Sequence, residues 1–221
     1  MQPHTYSLNN TPLEWVDSFK YLGVTIDHKL KRGDQIKNSI SKATKVLNLL
    51  RRNLRNCSPK AKKRAYLAMV KPRLEFSAPV WSPHLKKDIS ALEKVQKRAT
   101  RWMCAQWNRQ NFTWSKSYDE CRRKLQWTTL KQLRDILACC QIYKIVNHLD
   151  CIPFHQYFSF SSCNSRSHNL KLSCKQSRIN CFRFSFFVQA PFLWNSLPPD
   201  IANSQSLASF KSRVNSYFLN L

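Results

Sequence analysis

Twelve carboxylates, nine cysteines and six histidines are the groups in this 221-residue chain that could do chemistry. Two-metal phosphoryl or nucleotidyl transfer needs carboxylates that converge on ions about 4 Å apart. Asp119-Glu120 is the adjacent acidic pair, and Arg122-Arg123-Lys124 follow it at once. Those cations would compensate the pair on a helix, so a solvated helical turn is a better reading than a metal site. Nucleophile motifs of the GxSxG type and metalloprotease motifs of the HExxH type are missing. Cys151 and His155 are four residues apart, and a structural reading of both is favoured over Cys–His catalysis. Cys163, His168, Cys174 and Cys181 are zinc-ligand types, at a spacing that matches no common pattern. Seven of the nine cysteines follow residue 110, and no CxxC pair occurs. They read as reduced, mostly buried thiols of an intracellular protein, nuclear or cytoplasmic. No recognisable active site emerges.

Glycine narrows the classes further. A P-loop and a dinucleotide fingerprint each need at least two glycines at close, fixed spacing. The chain has two in all, Gly23 and Gly33, ten residues apart. Charge points elsewhere. Lys and Arg number 37 against 12 Asp and Glu, a formal net charge of +25. From Lys29 to Arg73 there are 15 Lys and Arg and a single acid, Asp34. A merely solvated helix face mixes both signs, whereas this segment leaves its self-repulsion uncompensated. A polyphosphate partner would relieve it. With 43% hydrophobic residues the chain can bury a real core. It carries no apolar run long enough for a membrane span, and Met1 to Thr5 do not open a secretory signal.

The elements that must position this charge follow from local patterns. Residues 5–8 and 11–15 flank Asn9-Asn10, which suits a two-residue hairpin turn. Phe19 to Asp27 reads as a strand with apolar residues on both faces. Ile36, Ile40, Ala43, Leu47, Leu50 and Leu54 form one helical stripe, with Asp34 as its expected N-cap. Ser58-Pro59 reads as N-cap and first residue of a second helix, whose apolar set is Ala61, Ala65, Ala68 and Met69 and which Pro72 limits or kinks. A third helix runs from about Leu85 to Met103, with Leu85, Ile89, Leu92, Gln96, Ala99 and Met103 inward. A short helix near 117–125 and a long one from Leu130, capped by Thr129, come next. Residues 159–181 are Ser-rich and read as an exposed connection. Phe182, Phe184 and Phe186 alternate as in a strand over 181–188, and Ser206 caps a last helix. The chain is therefore expected to be mainly α. An N-terminal β-hairpin (1–30) precedes a basic three-helix bundle (31–105) and a helical and irregular C-terminal region with a short strand (106–221). Lys37, Lys45, Arg51, Arg52, Arg55, Lys60, Lys62, Lys63 and Arg64 lie off the apolar stripes and are the candidate phosphate contacts. Backbone binding without base readout is implied, because no zinc finger, RNA-recognition signature or recognition helix is present.

The order of these motifs resembles a known family. Phe19-Lys20-Tyr21-Leu22-Gly23-Val24-Thr25-Ile26-Asp27 with Leu30-Lys31 resembles a segment of non-LTR, LINE-type (jockey-like) retrotransposon reverse transcriptases. The likeness continues through Leu50-Arg51-Arg52-Asn53-Leu54, Ala65-Tyr66, Val70 to Phe76, Val80-Trp81 and Leu92 to Ala99. It reaches Leu125-Gln126-Trp127, Tyr143 to Asn147, Trp194-Asn195-Ser196-Leu197-Pro198 and Ser209-Phe210-Lys211. What it implies is a primer-grip hairpin, with Tyr21, Leu22 and Gly23 in the grip role, then a thumb that holds a template–primer duplex by its backbone. The family's aromatic-x-Asp-Asp catalytic motif is expected upstream of residue 1. This chain would then be a non-catalytic C-terminal part, needing no cofactor itself, whereas the full-length family enzyme would use Mg. Nucleic acid is the expected partner, with no membrane and no small-molecule substrate. Where relatives carry Trp after Leu-Lys, this chain has Arg32, an exchange expected to loosen packing between hairpin and thumb. The alternative is a basic helical interaction protein that docks on an acidic partner.

Overall fold

The computed structural model describes residues 6–107, 117–161 and 170–220. The fold is mainly helical with two N-terminal hairpins. In the first, β1 (Ser7–Leu8) pairs antiparallel with β2 (Thr11–Pro12). Asn9 and Asn10 turn it with φ of 49° and 63°. Positive φ at both central residues is the turn whose twist matches a strand pair, and Asn tolerates it. The run Phe19 to Asp27 is not one strand packed on both sides. It folds on itself as β3 (Ser18–Tyr21) and β4 (Val24–Asp27), with Phe19 opposite Ile26 and Tyr21 opposite Val24. Leu22 and Gly23 form the turn, at φ of 45° and 87°. β3 is exposed throughout, and Val24 is the residue of β4 that enters the core.

Helix α1 (Gly33–Asn53) buries the expected stripe, with Ile36, Ala43, Leu47 and Leu50 inside. Arg32, not Asp34, is the residue before its first turn. Asp34 sits within that turn, where a carboxylate favours the positive end of the helix dipole. The hairpin is tied here: the Thr25 N–H donates to Gln35 Oε1 at 2.8 Å, and Asn38 Nδ2 donates to Thr25 Oγ1 at 3.2 Å.

Helix α2 (Pro59–Ala65) starts where expected, with Ser58 Oγ accepting from the Ala61 N–H at 3.3 Å. It runs into a π-helical turn, Tyr66–Val70, then α3 (Lys71–Glu75). Pro72 has no N–H for a carbonyl four residues back and its ring crowds that carbonyl, so the helix widens just before it. The inward line is Lys62, Tyr66, Val70 and Leu74, whereas Ala61, Ala68 and Met69 are exposed. The expected alanine set yields because Tyr66 has far more apolar surface to bury. It stacks on Trp127 with ring centres 4.6 Å apart. After α4 (Ala78–Trp81), helix α5 (Lys86–Trp107) packs through Leu92, Val95, Gln96, Ala99 and Met103. Leu85 lies outside it and is exposed, and Ile89 is half-buried.

Helix α6 (Tyr118–Leu125) leads to α7 (Leu130–Val146). Thr129 caps α7 reciprocally: its Oγ1 accepts the Gln132 N–H at 3.1 Å, and Gln132 Oε1 accepts the Thr129 N–H at 2.9 Å. This helix joins two cores. Leu130 and Leu133 belong to the first, with β4, α1 to α5 and Trp127. Ile136, Cys139, Ile142, Tyr143 and Ile145 belong to the second, which gathers α8 (Phe154–Tyr157), α10 (Phe186–Asn195), α11 (Pro199–Ala202) and α12 (Leu207–Leu219). Ser206 caps α12 by accepting from the Ser209 N–H at 3.2 Å. The strand expected over 181–188 is replaced by α9 (Asn180–Arg183) and the start of α10. Among the described residues no strand pairs with its alternating phenylalanines, and Val188, Ala190 and Trp194 bury one face of a helix instead.

Candidate nucleic-acid interface

The basic segment occupies α1, α2 and the corner between them. Lys37, Lys45, Arg51, Arg52, Arg55, Lys60 and Arg64 are all exposed, as is Lys42. Lys45 and Arg52 are seven residues apart, so they share a face two turns, or about 10 Å, from each other. Lys42 lies beside them, three residues before Lys45. Lys37 is offset by Asp34 at 3.3 Å, an exposed pair of little energetic weight.

Lys62 and Lys63 have other roles. Lys62 is 2% exposed. Its amine donates to the Arg55 carbonyl at 3.0 Å and sits 5.3 Å from the Trp102 ring centre. Lys63 is half-buried and donates to the Leu125 carbonyl at 2.9 Å. The two amines therefore draw together the end of α1, the start of α2, α5 near Trp102 and the last turn of α6. That convergence adds cations the sequence reading missed. Arg98 and Arg101 of α5 and Arg123 and Lys124 of α6 are exposed, on the same helices as the Trp102 and Leu125 that Lys62 and Lys63 reach. They are distant in the chain from residues 29–73, and their only signal there was an off-stripe position on an amphipathic helix.

The grip-like residues lie at the other end of α1. Leu22 is 77% exposed and Tyr21 59%. A β-carbon built on Gly23 would stand 3.3 Å from Phe76 Cε1, so the hairpin tip leans on the α3–α4 corner. The hairpin is held by Gln35 and Asn38, while Arg51 and Arg52 close the helix. About 20–26 Å of α1 separates them. The surface is thus an aromatic tip, a line of cations and a cationic corner, over close to one turn of B-form duplex.

Arg32 does not loosen the join. Its guanidinium donates to the Ser82 carbonyl at 2.6 Å and the Phe184 carbonyl at 2.8 Å, so it ties the start of α1 to both cores. The chemical candidates stay apart. Asp119 faces Arg122 at 3.6 Å on the first turns of α6. Cys151 is exposed, and the His155 ring meets Phe154 edge-on at 5.2 Å. Cys163 and His168 lie outside the described residues. Cys181 is exposed, and the Cys174 sulfur accepts from Asn195 Nδ2 at 3.5 Å. Among the described residues no group of three or more His, Cys, Asp or Glu could hold a metal ion, and no helix is long and apolar enough to cross a membrane.

No family model, no curated protein and no solved structure matches this chain.

Proposed function

We propose that this chain binds a nucleic-acid duplex, RNA–DNA or DNA, through its phosphate backbone and without reading sequence. It does so as the non-catalytic C-terminal part of a non-LTR retrotransposon reverse transcriptase, inside the cell. The observation that carries the duplex reading is the cationic surface of α1 and the α1–α2 corner, which has no acid between Asp34 and Glu75. Neutralising phosphates there releases condensed counterions. The order of the grip-like and thumb-like motifs supports the polymerase part of the reading, with Tyr21, Leu22 and Gly23 near the primer end.

Filter binding of a random duplex at 50 and 200 mM salt tests it. Six phosphate contacts predict a loss of about 10³-fold in affinity over that range. Salt-independent binding, or none at micromolar protein, overturns it. A second reading, docking on an acidic protein, is favoured by one observation: Leu8, Trp15, Phe19 and Leu22 are all more than 60% exposed. An unpartnered apolar surface of this kind suits a protein interface. Under that reading hairpin substitutions weaken partner binding and duplex affinity is absent.

A further inference from the structure

A cavity lies between the two cores. It measures about 320 Å³ and is walled by the α4–α5 connection, α7 and the start of α10. Its polar lining includes Ser82, His84, Lys131, Arg134, Asp135, Ser185 and Gln189.

Arg134 is the anomaly. It is 3% exposed, and both terminal nitrogens of its guanidinium are buried with no hydrogen-bond partner. Ser185 Oγ is buried and unpartnered in the same wall. The two carboxylates whose charge reaches Arg134 are Glu93 and Asp135. Glu93 is committed elsewhere: Oε1 accepts the Lys131 N–H at 3.0 Å and Oε2 accepts the Tyr118 hydroxyl at 3.2 Å. A buried guanidinium left without partners is costly, and in a folded protein such a group calls for a missing ion or ligand. The chemistry that meets Arg, Lys and Ser together is a tetrahedral oxyanion with several strong acceptors.

We propose that this cavity binds a phosphate group, with Arg134 as the principal contact, Ser185 donating its hydroxyl and Lys131 supplying charge. The His84 ring, stacked on Phe184 at 4.0 Å, forms the remaining wall. Asp135 opposes the anion when ionised, and His84 assists it when protonated. Burial raises the Asp135 carboxyl to about 6 and lowers the His84 imidazole, with the Arg32 charge adding to the latter. Binding therefore tightens as pH falls from 8 towards 5.5. Sulfate is the suitable probe, because it does not titrate across that range.

The test is calorimetric titration of the full chain with sodium sulfate and with inorganic phosphate against a chloride background. Alongside them runs a duplex bearing a 5′-phosphate or a 5′-hydroxyl. Sulfate binds the wild type and is weakened about tenfold or more in Arg134→Met, with a smaller loss in Ser185→Ala. Arg134→Met is expected to fold in chloride, because the two terminal guanidinium nitrogens make no hydrogen bond that the substitution would break. Preference for the 5′-phosphate duplex identifies a strand end as the source. Equal affinity for the two duplexes, with phosphate still bound, identifies a free phosphate or phosphomonoester. Should Arg134→Met fail to fold, Ser185→Ala and Lys131→Ala carry the comparison. No sulfate binding by the wild type, or wild-type affinity in the folded variants, overturns the proposal. It does not depend on duplex binding: Arg134→Met keeps the salt-dependent affinity for a 5′-hydroxyl duplex, and loss of that affinity in the wild type would leave the sulfate result standing.

Discussion

The Lys62 ammonium stands 5.3 Å from the centre of the Trp102 ring, inside a segment whose cations are mostly exposed. It donates to the Arg55 carbonyl, which closes the end of α1 onto α2 and α5. Lys62 is therefore a structural cation, as is Lys63, while Lys60 and Arg64 are candidates for binding. Lys62→Ala loses a charge-assisted hydrogen bond and a desolvated cation–π contact. The expected cost is about 2 kcal/mol of stability, read by urea unfolding. The salt slope of duplex binding should not change. A reduced slope without loss of stability would return Lys62 to the binding surface.

Arg52 and Lys45 are predicted to behave in the opposite way. Both are exposed on one face of α1. Each Ala substitution should leave unfolding within about 0.5 kcal/mol of wild type. Each should lower the slope of log affinity against log salt by about 0.9, one phosphate contact apiece. The weakening should be equal on duplexes of different sequence. A slope that stays constant in the double variant removes α1 from the interface.

What was legible in the sequence was what local chemistry decides. Ser58, Thr129 and Ser206 cap their helices because an Ncap hydroxyl answers its own backbone within three residues. Asn9-Asn10 turns its hairpin because those two residues tolerate the φ that the turn demands. The α1 stripe was readable because its large apolar residues recur at helical spacing. Competition between distant parts was not readable. Lys62 looks like any surface lysine until Trp102 is beneath it. Ala61 and Ala65 form a periodic stripe, but Tyr66 displaces it by finding Trp127. Residues 181–188 alternate as a strand does, but among the described residues none pairs with them as a strand, and they fold as α9 and the start of α10. The candidate interface was half legible for the same reason: residues 29–73 stand out as a run, whereas Arg98, Arg101 and Arg123 join it only through folding.

Gly23 has two reasons to be glycine. Its φ is 87°, and an added β-carbon would press on Phe76 at 3.3 Å. Gly23→Ala should cost about 1–2 kcal/mol, expressed as faster amide exchange across β3 and β4 more than as a fall in the global midpoint. If Tyr21 and Leu22 contact the primer end, the same variant weakens binding to a recessed 3′ end more than to a blunt duplex. Unchanged exchange in the hairpin would mean that the turn relaxes at no cost.

Arg32 joins the cores through two carbonyls, those of Ser82 and Phe184. Arg32→Ala leaves both acceptors short of a donor, and Arg32→Lys cannot fork to reach both. Arg32→Ala should lose about 2–4 kcal/mol, and the lysine variant should fall between it and wild type. Limited proteolysis near residues 176–185 should quicken in both variants, since that segment is held there by the guanidinium. Equal stability of all three chains would show that the cores hold together without the clamp.

Asp135 makes stability depend on pH in a direction opposite to most carboxylates. Burial pushes its carboxyl up to about 6, against the pull of Lys131 and Arg134. In the unfolded chain it titrates near its ordinary value of about 3.9. Between those two values the folded chain holds a proton that the unfolded chain has released. Stability from this source is therefore greatest below the unfolded value, falls as pH rises towards 6, and is flat above it. Asp135→Asn cannot titrate and lacks this fall. Relative to that variant, the wild type should lose about 1–2 kcal/mol between pH 4 and pH 7, the full shift being discounted for the group's partial exposure. Urea unfolding of both chains in chloride across that range measures the gap, and His84 contributes equally to each and cancels. A gap that does not change with pH would mean that Asp135 is ionised throughout, leaving a standing negative charge beside Arg134 and weakening the case for an anion there.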